Sequence, residues 1–222
     1  VSIGADIVTA LPEIFLAATA ILLLMLGAFM RDLSARAAAV LTIAALGLAA
    51  LLVYLGSGRG ELAFNGLFVN DAFGDFMKLL ILIGAGLTIA MGLRTIEQSS
   101  MAHFEFPVLL LFATLGMLMM VSANNLISLY MGLELQSLSL YVVAALRRDS
   151  LRSSEAGLKF FVLGSLASGM LLYGLSMVYG FTGTTSFAAL AEIFAAQEGA
   201  PSIGLIVGLV FIAAGLAFKI SA

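Results

Sequence analysis

Apolar residues run along this chain in long stretches, without strict alternation between apolar and polar positions. Seven stretches approach the ~20 residues an α-helix needs to cross a bilayer. They are residues 11–30, 37–56, 73–93, 105–122, 125–146, 155–180 and 203–222. Polar punctuation separates them: RDLSAR, GSGRGE, RTIEQSS, SANN, RRDSLRSS and the longer TGTTSFAALAEIFAAQEGAP. In lipid only helices and closed barrels satisfy the backbone, and the period-2 pattern of a barrel strand is absent. The predicted fold class is therefore all-α: a polytopic transmembrane helix bundle with about seven spans. Two connections carry their own order. LAFNGLFV, 62–69, sets Asn-Gly between apolar residues, the signal for a hairpin that must lie on something else to be stable. Residues 186–197 put Phe187, Leu190, Ala191 and Phe194 on one helical face behind Ser186, which predicts a short surface helix.

Composition agrees. The chain is 62% hydrophobic and only 10% charged, with mean hydropathy +1.16. Soluble domains are about half apolar and about a quarter charged, so this chain cannot cover itself with polar surface. It has 0 Cys and 1 His, which excludes a thiolate-held iron–sulfur cluster and leaves a haem only His103 or a methionine. A formal charge of −3 points to no nucleic-acid partner. The opening VSIGADIVTALPEIF carries Asp6 and Glu13 and no basic residue, so it lacks the start of a signal peptide and the first span is expected to stay in the protein. The last stretch stops without a polar flank, and a fragment of a longer chain is expected.

Charge differs between alternate loops. Those after the first, third and fifth spans hold Arg31, Arg36, Arg94, Arg147, Arg148 and Arg152. Those after the second, fourth and sixth hold only Arg59, with Glu61, Asp71, Glu192 and Glu198. The positive-inside bias makes the first set cytoplasmic and puts the N-terminus outside.

Most ionisable residues sit at the ends of stretches, where they cost little. Glu134 does not. At 1.5 Å per residue it lies ~13–15 Å deep, near the midplane of a ~30 Å core, where a charge costs at least ~2.5–3.5 kcal/mol. Tyr130, Glu134, Ser137 and Tyr141 share one helical face, a polar stripe aimed at other helices. Two readings stand: a neutral, hydrogen-bonded glutamate that joins helices, or a carrier of protons or cations. Lys159 lies ~8 Å into the sixth span with Glu155 four residues before it, and is either a snorkelling anchor or a functional cation. Lys219, on a straight helix from Ser202, falls ~25 Å below the outer face; snorkelling explains it there, and a broken or tilted helix would bring it nearer the middle. Lys78, with Asp71 and Asp75, is explained by a solvated interface. A lysine beside a glutamate favours the charged form of each, and at ~4 Å with an effective dielectric of ~20 the attraction is ~4 kcal/mol. Separating such a pair lets one group lose or gain a proton, so a small helix movement becomes a protonation switch.

LYMGLELQSLSLYVVAALRR, SSEAGLKFFVLGSLASGMLLYGLSMVYGFTGTTSF, GLAFKISA and, more weakly, FNGLFVNDAFGDFMKLL resemble the subunit N family of bacterial NADH–quinone oxidoreductase, respiratory complex I. The resemblance covers nearly the whole chain. It implies an antiporter-like membrane subunit of which this is the N-terminal half. Residues 1–103 would hold three N-terminal helices, and 104–222 the incomplete first of two inverted repeats, its helix 7 broken just past the lysine. That break would lift Lys219 toward the midplane. Residue by residue, the resemblance assigns proton translocation to Glu134, Lys219 as its lysine partner, and Lys159 on the cytoplasmic uptake route, with Tyr130, Ser137 and Tyr141 as a supporting polar stripe. No cofactor or metal is expected in this chain. FMN, iron–sulfur clusters, NADH and quinone would belong to other subunits, and the partners would be other membrane-arm subunits and the lipid of the bacterial inner membrane. Two readings compete: a subunit of a multi-subunit cation/proton antiporter, and a structural membrane subunit with a hydrogen-bonded Glu134.

Overall fold

The computed structural model describes residues 3–29, 34–56, 61–98, 104–147, 149–196 and 201–220. Arg31, Arg59, His103, Arg148 and Glu198 of the sequence argument lie outside these residues, as do the side chains of Glu61 and Arg94. The first element is a short helix, α1 (Ile3–Thr9), followed by α2 (Leu11–Phe29), α3 (Ala35–Gly56), the strands β1 (Glu61–Ala63) and β2 (Phe68–Asn70), and α4 (Ala72–Gln98). Then come α5 (Glu105–Val121), α6 (Leu126–Ala144), α7 (Leu151–Thr182), α8 (Phe187–Ala196) and α9 (Ile203–Lys219). The expectation of an all-α transmembrane bundle is borne out. Among the described residues, five helices are long and apolar enough to cross a membrane, α2, α3, α4, α6 and α7. α5 and α9, at 17 residues each, are ~25 Å long, slightly short of a ~30 Å core. Large apolar side chains cover the outside, among them Leu22, Leu55, Met91 and Leu166, as lipid-facing helices require.

Two packing units make up the bundle. α2, α3, α4 and α5 enclose one core around Leu16, Leu46, Leu82, Ile89 and Leu111. α6, α7, α8 and α9 meet in a smaller one around Leu126, Val178, Leu190 and Leu205. Glycine joins the two. A Cβ on Gly116 of α5 would lie 2.6 Å from the carbonyl oxygen of Gly132 on α6, so the two backbones touch. Without a hydrophobic drive between helices in lipid, such close contact of small residues is what holds them. The same device binds α7 to α9: Gly174 meets the backbone of Gly208, and Gly215 meets Leu171.

The hairpin forms where Asn-Gly predicts it, with Ala63 opposite Phe68. Its turn holds Phe64, Asn65 and Gly66 at φ of 52°, 56° and 81°, a left-handed run that suits Gly and Asn and strains Phe. The hairpin lies on the α5–α6 connection: Val69 N–H donates to Ser122 O at 2.9 Å, Asn124 N–H to Leu67 O at 3.1 Å, and Asn124 Nδ2 to Gly66 O at 2.9 Å. That connection in turn receives the α7–α8 connection, through Leu126 N–H to Thr185 O at 2.9 Å. Three alternate loops therefore meet at one end of the bundle, the hairpin end. α8 forms as predicted, but only its Leu190 is buried; Phe187 and Phe194 stay on the surface.

Candidate functional site

α6 supplies the site's polar stripe. Asn125 caps its first turn, its side chain accepting from Ser128 N–H at 2.6 Å, which satisfies a helix-end donor that lipid cannot. Glu134, Ser137 and Tyr141 then project from one face. Opposite stands Lys219, the last residue of α9. Its Nζ donates to Ser137 Oγ at 2.8 Å, Tyr141 Oη at 3.1 Å and Glu134 Oε1 at 3.2 Å. An ammonium has three donors, and all three are engaged. The side chains of Lys219 and Glu134 are 9% and 18% exposed. Lys219 also lies 5.5 Å from the Tyr141 ring centroid. The straight-helix estimate separates Lys219 and Glu134 by ~10 Å in depth. The contact closes that gap, and a lysine stem leaning toward the N-terminus of α9 covers part of it.

Tyr141 is positioned from α7. A Cβ on Gly164 would stand 2.0 Å from Tyr141 Oη, so only glycine leaves room for the phenol to reach Lys219. Phe160 and Phe161 flank the ring edge-on, with centroids at 4.6 and 6.1 Å. Tyr130 turns away from the lysine and shares a hydrogen bond with Ser168 of α7 at 3.1 Å. Lys159 is not part of the cluster. It lies on an exposed face of α7, 69% exposed, paired with Glu155 at 2.5 Å. α7 also begins at Leu151, four residues before the predicted start, because Ser150 caps it through Ser153 N–H.

Lys78 is a correction. A solvated interface fits Asp71, which is exposed and accepts from Gly74 N–H at 2.6 Å. It does not fit Lys78, which is 1% exposed, or Asp75, at 4%. Lys78 Nζ lies 2.7 Å from Glu13 Oε1 of α2 and 4.9 Å from the centroid of Phe68 in β2. The hairpin and α1 cover the end of α4, so a residue near a helix end is sealed from solvent. No metal-ligating cluster of His, Cys, Asp or Glu occurs among the described residues.

Residues 123–222 match the family described as NADH:quinone oxidoreductase/Mrp antiporter, TM. The chain is 56% identical over 220 residues to NADH-quinone oxidoreductase subunit N of Paramagnetospirillum magneticum, covering 98% of this chain and 45% of that protein. It is 55% identical over 215 residues to subunit N of Rhodospirillum rubrum, covering 96% and 44%. It thus spans about half the length of the curated relatives it matches. Among solved structures, a chain of respiratory complex I from Thermus thermophilus with bound aureothin superposes with TM-score 0.73 at 29% identity, covering 93% of this chain and 43% of that one. A chain of the Mrp complex from Dietzia sp. gives TM-score 0.72 at 22% identity, over 95% of this chain and 40% of that one, a likeness of fold alone.

Proposed function

We propose, from the premise that this chain is kin to subunit N of NADH-quinone oxidoreductase over nearly its whole length, that it belongs to a membrane subunit that translocates protons while quinone is reduced elsewhere in the complex. The observation that carries this reading is the Lys219 ammonium held against Glu134, Ser137 and Tyr141 in the bundle interior. With Glu134 charged, the ammonium is fully bonded. A shift of α9 against α6 would part the charges, and the lysine would then release its proton or the glutamate would take one up. Breaking a buried pair by removing one partner costs ~3–5 kcal/mol, enough to couple helix position to protonation.

In this reading Lys159 and Glu155 take up protons from the cytoplasm, Tyr130 and Ser168 extend the polar stripe toward the hairpin end, and residues 104–222 form the first, incomplete, antiporter-like repeat behind the three spans of 1–103. NADH, FMN, iron–sulfur clusters and quinone belong to other subunits. The subunit sits in the bacterial inner membrane, with its N-terminus outside, against other membrane-arm subunits.

The test is a double-mutant cycle in the assembled complex. Glu134→Gln and Lys219→Met should each impair proton-coupled turnover, and the double variant should do less damage than the sum, since residues in contact are not additive. Strict additivity in fully assembled complexes would refute the pair. The family model embraces Mrp antiporters as well, which favours one other reading, a cation/proton antiporter subunit. Na⁺- or K⁺-dependent exchange by the purified assembly, without NADH, would select it.

A further inference from the structure

A cleft of about 450 Å³ opens between α6 and α7, at the end of the bundle opposite the hairpin. We infer that it is a binding site for an anionic phospholipid, with one acyl chain in the cleft and the headgroup phosphate at its rim. It shares a single residue, Tyr141, with the Lys219 cluster.

Shape gives the occupant's lower half. Leu138 and Val142 of α6 and Leu158 and Phe161 of α7 line the cleft, and all four are exposed. Its mouth therefore faces lipid along both helices. From Arg147, just past the end of α6, down to Leu138 is nine residues, ~13 Å. That is close to half of a ~30 Å hydrocarbon core. The cleft thus runs from the membrane surface to near the midplane, the course of one acyl chain, and its volume and apolar lining are those of a ligand site.

Charge decides which lipid. Arg147 follows α6 and Arg152 stands in the first turn of α7, both exposed. Among the described residues neither side chain has an ion-pair or hydrogen-bond partner. The positive N-terminal end of α7 lies at the same rim, and Ser154 adds a hydroxyl there. Asp149 stands between the two arginines, and Glu155 is already held by Lys159. Two guanidiniums against the one carboxylate of Asp149 leave the rim positive. Basic pockets between transmembrane helices hold anionic headgroups, and a guanidinium matches phosphate with two parallel hydrogen bonds. A zwitterionic head would bring a cation of its own to a rim that is already positive.

Tyr141 gives the site a consequence. It lines the cleft, and its Oη accepts from Lys219 Nζ at 3.1 Å. A chain seated in the cleft packs on the residue that holds the ammonium. On the proton-translocating reading above, occupancy steadies that contact and raises turnover; the binding site itself does not depend on that reading.

The test uses the assembled complex, with the full-length subunit, in phosphatidylcholine vesicles. A trace of phosphatidylglycerol or of phosphatidylcholine carries the same photoreactive acyl chain. The peptides holding Leu138, Val142, Leu158 and Phe161 should be labelled roughly fivefold more by the phosphatidylglycerol probe, the preference that one net basic residue near a membrane surface gives. Arg147→Gln combined with Arg152→Gln should abolish the preference. Leu158→Trp, which fills the cleft and keeps both arginines, should lower labelling by both probes. Equal labelling of the wild type by the two probes overturns the inference. So does an absence of label in α6 and α7, which would show a neighbouring subunit covering the cleft. NADH-driven proton uptake should also rise with the phosphatidylglycerol fraction in the wild type and stay flat in the double variant. Selective labelling with unresponsive uptake overturns the effect through Tyr141 alone, whereas full pumping in Glu134→Gln sinks the relay and leaves the labelling result standing.

Discussion

The saturation of Lys219 decides which substitutions should matter and by how much. Ser137 supplies the shortest of its three contacts, at 2.8 Å, and a hydrogen bond to a charged group contributes ~1.5–3 kcal/mol. Ser137→Ala should therefore lower proton-coupled turnover by roughly tenfold or more while leaving assembly intact, measured as NADH-driven proton uptake per assembled complex. Gly164 acts on the same lysine without touching it. Gly164→Ala drives a methyl into the space of the Tyr141 phenol, so turnover should fall at least as far as in Tyr141→Phe. Equal rates in wild type and Gly164→Ala would show that the Tyr141 contact is idle. Lys159 gives a cleaner case, because its exposed side chain has little packing to lose. If it feeds protons inward, Lys159→Met should slow turnover and Lys159→Arg should do so less; equal and negligible effects would remove it from the relay.

Among the elements, α6 carries the most consequence. It bears Glu134, Ser137 and Tyr141 on one side and Gly132 on another, two residues before the glutamate. A Cβ at Gly132 would lie 2.8 Å from the carbonyl oxygen of Gly116, backbone that cannot step aside. Gly132→Ala should thus push α6 off α5, cost ~1–3 kcal/mol as overpacking does, and carry Glu134 away from Lys219. A lowered melting temperature of the isolated membrane arm together with slowed turnover is the expected result; an unchanged melting temperature would mean the contact is loose. The spans, the hairpin and the surface helix were legible in the sequence because each is a local pattern: length of apolar run, Asn-Gly, one apolar face. The stripe on α6 was legible for the same reason. The Glu13–Lys78 pair was not. Glu13 stands at the start of one apolar run and Lys78 near the start of another, so each reads as interfacial. Their burial depends on α1, the hairpin and the α2–α4 contact acting together, which no local pattern records. The one available hint was that Phe76-Met77-Lys78-Leu79-Leu80 sets a lysine among apolar residues only a few positions into a span.

At the scale of the whole molecule, the hairpin, the α5–α6 connection and the α7–α8 connection are stitched together by backbone hydrogen bonds. These are the even-numbered loops, so the alternation of spans is a property of the fold, and one loop's orientation fixes all of them. The remaining question is which end faces the cytoplasm. Arg36 at the start of α3, Arg147 after α6 and Arg152 at the start of α7 all belong to the end opposite the hairpin. The positive-inside bias predicts that this end faces the cytoplasm. On that prediction Lys159, near the start of α7, lies toward the cytoplasm, and Glu13 and Lys78 lie toward the opposite face. The chain's lack of cysteine makes the test direct, since a single introduced thiol has no competitor in this chain. In right-side-out vesicles, a cysteine at Ser186 or Glu192 should react with a membrane-impermeant maleimide, and one at Asp149 or Arg152 should not. Inverted vesicles should give the reverse. If the two sites exchange behaviour, the N-terminus is cytoplasmic, Lys159 faces the release side, and the direction of proton flow through the Glu134–Lys219 pair must be read the other way.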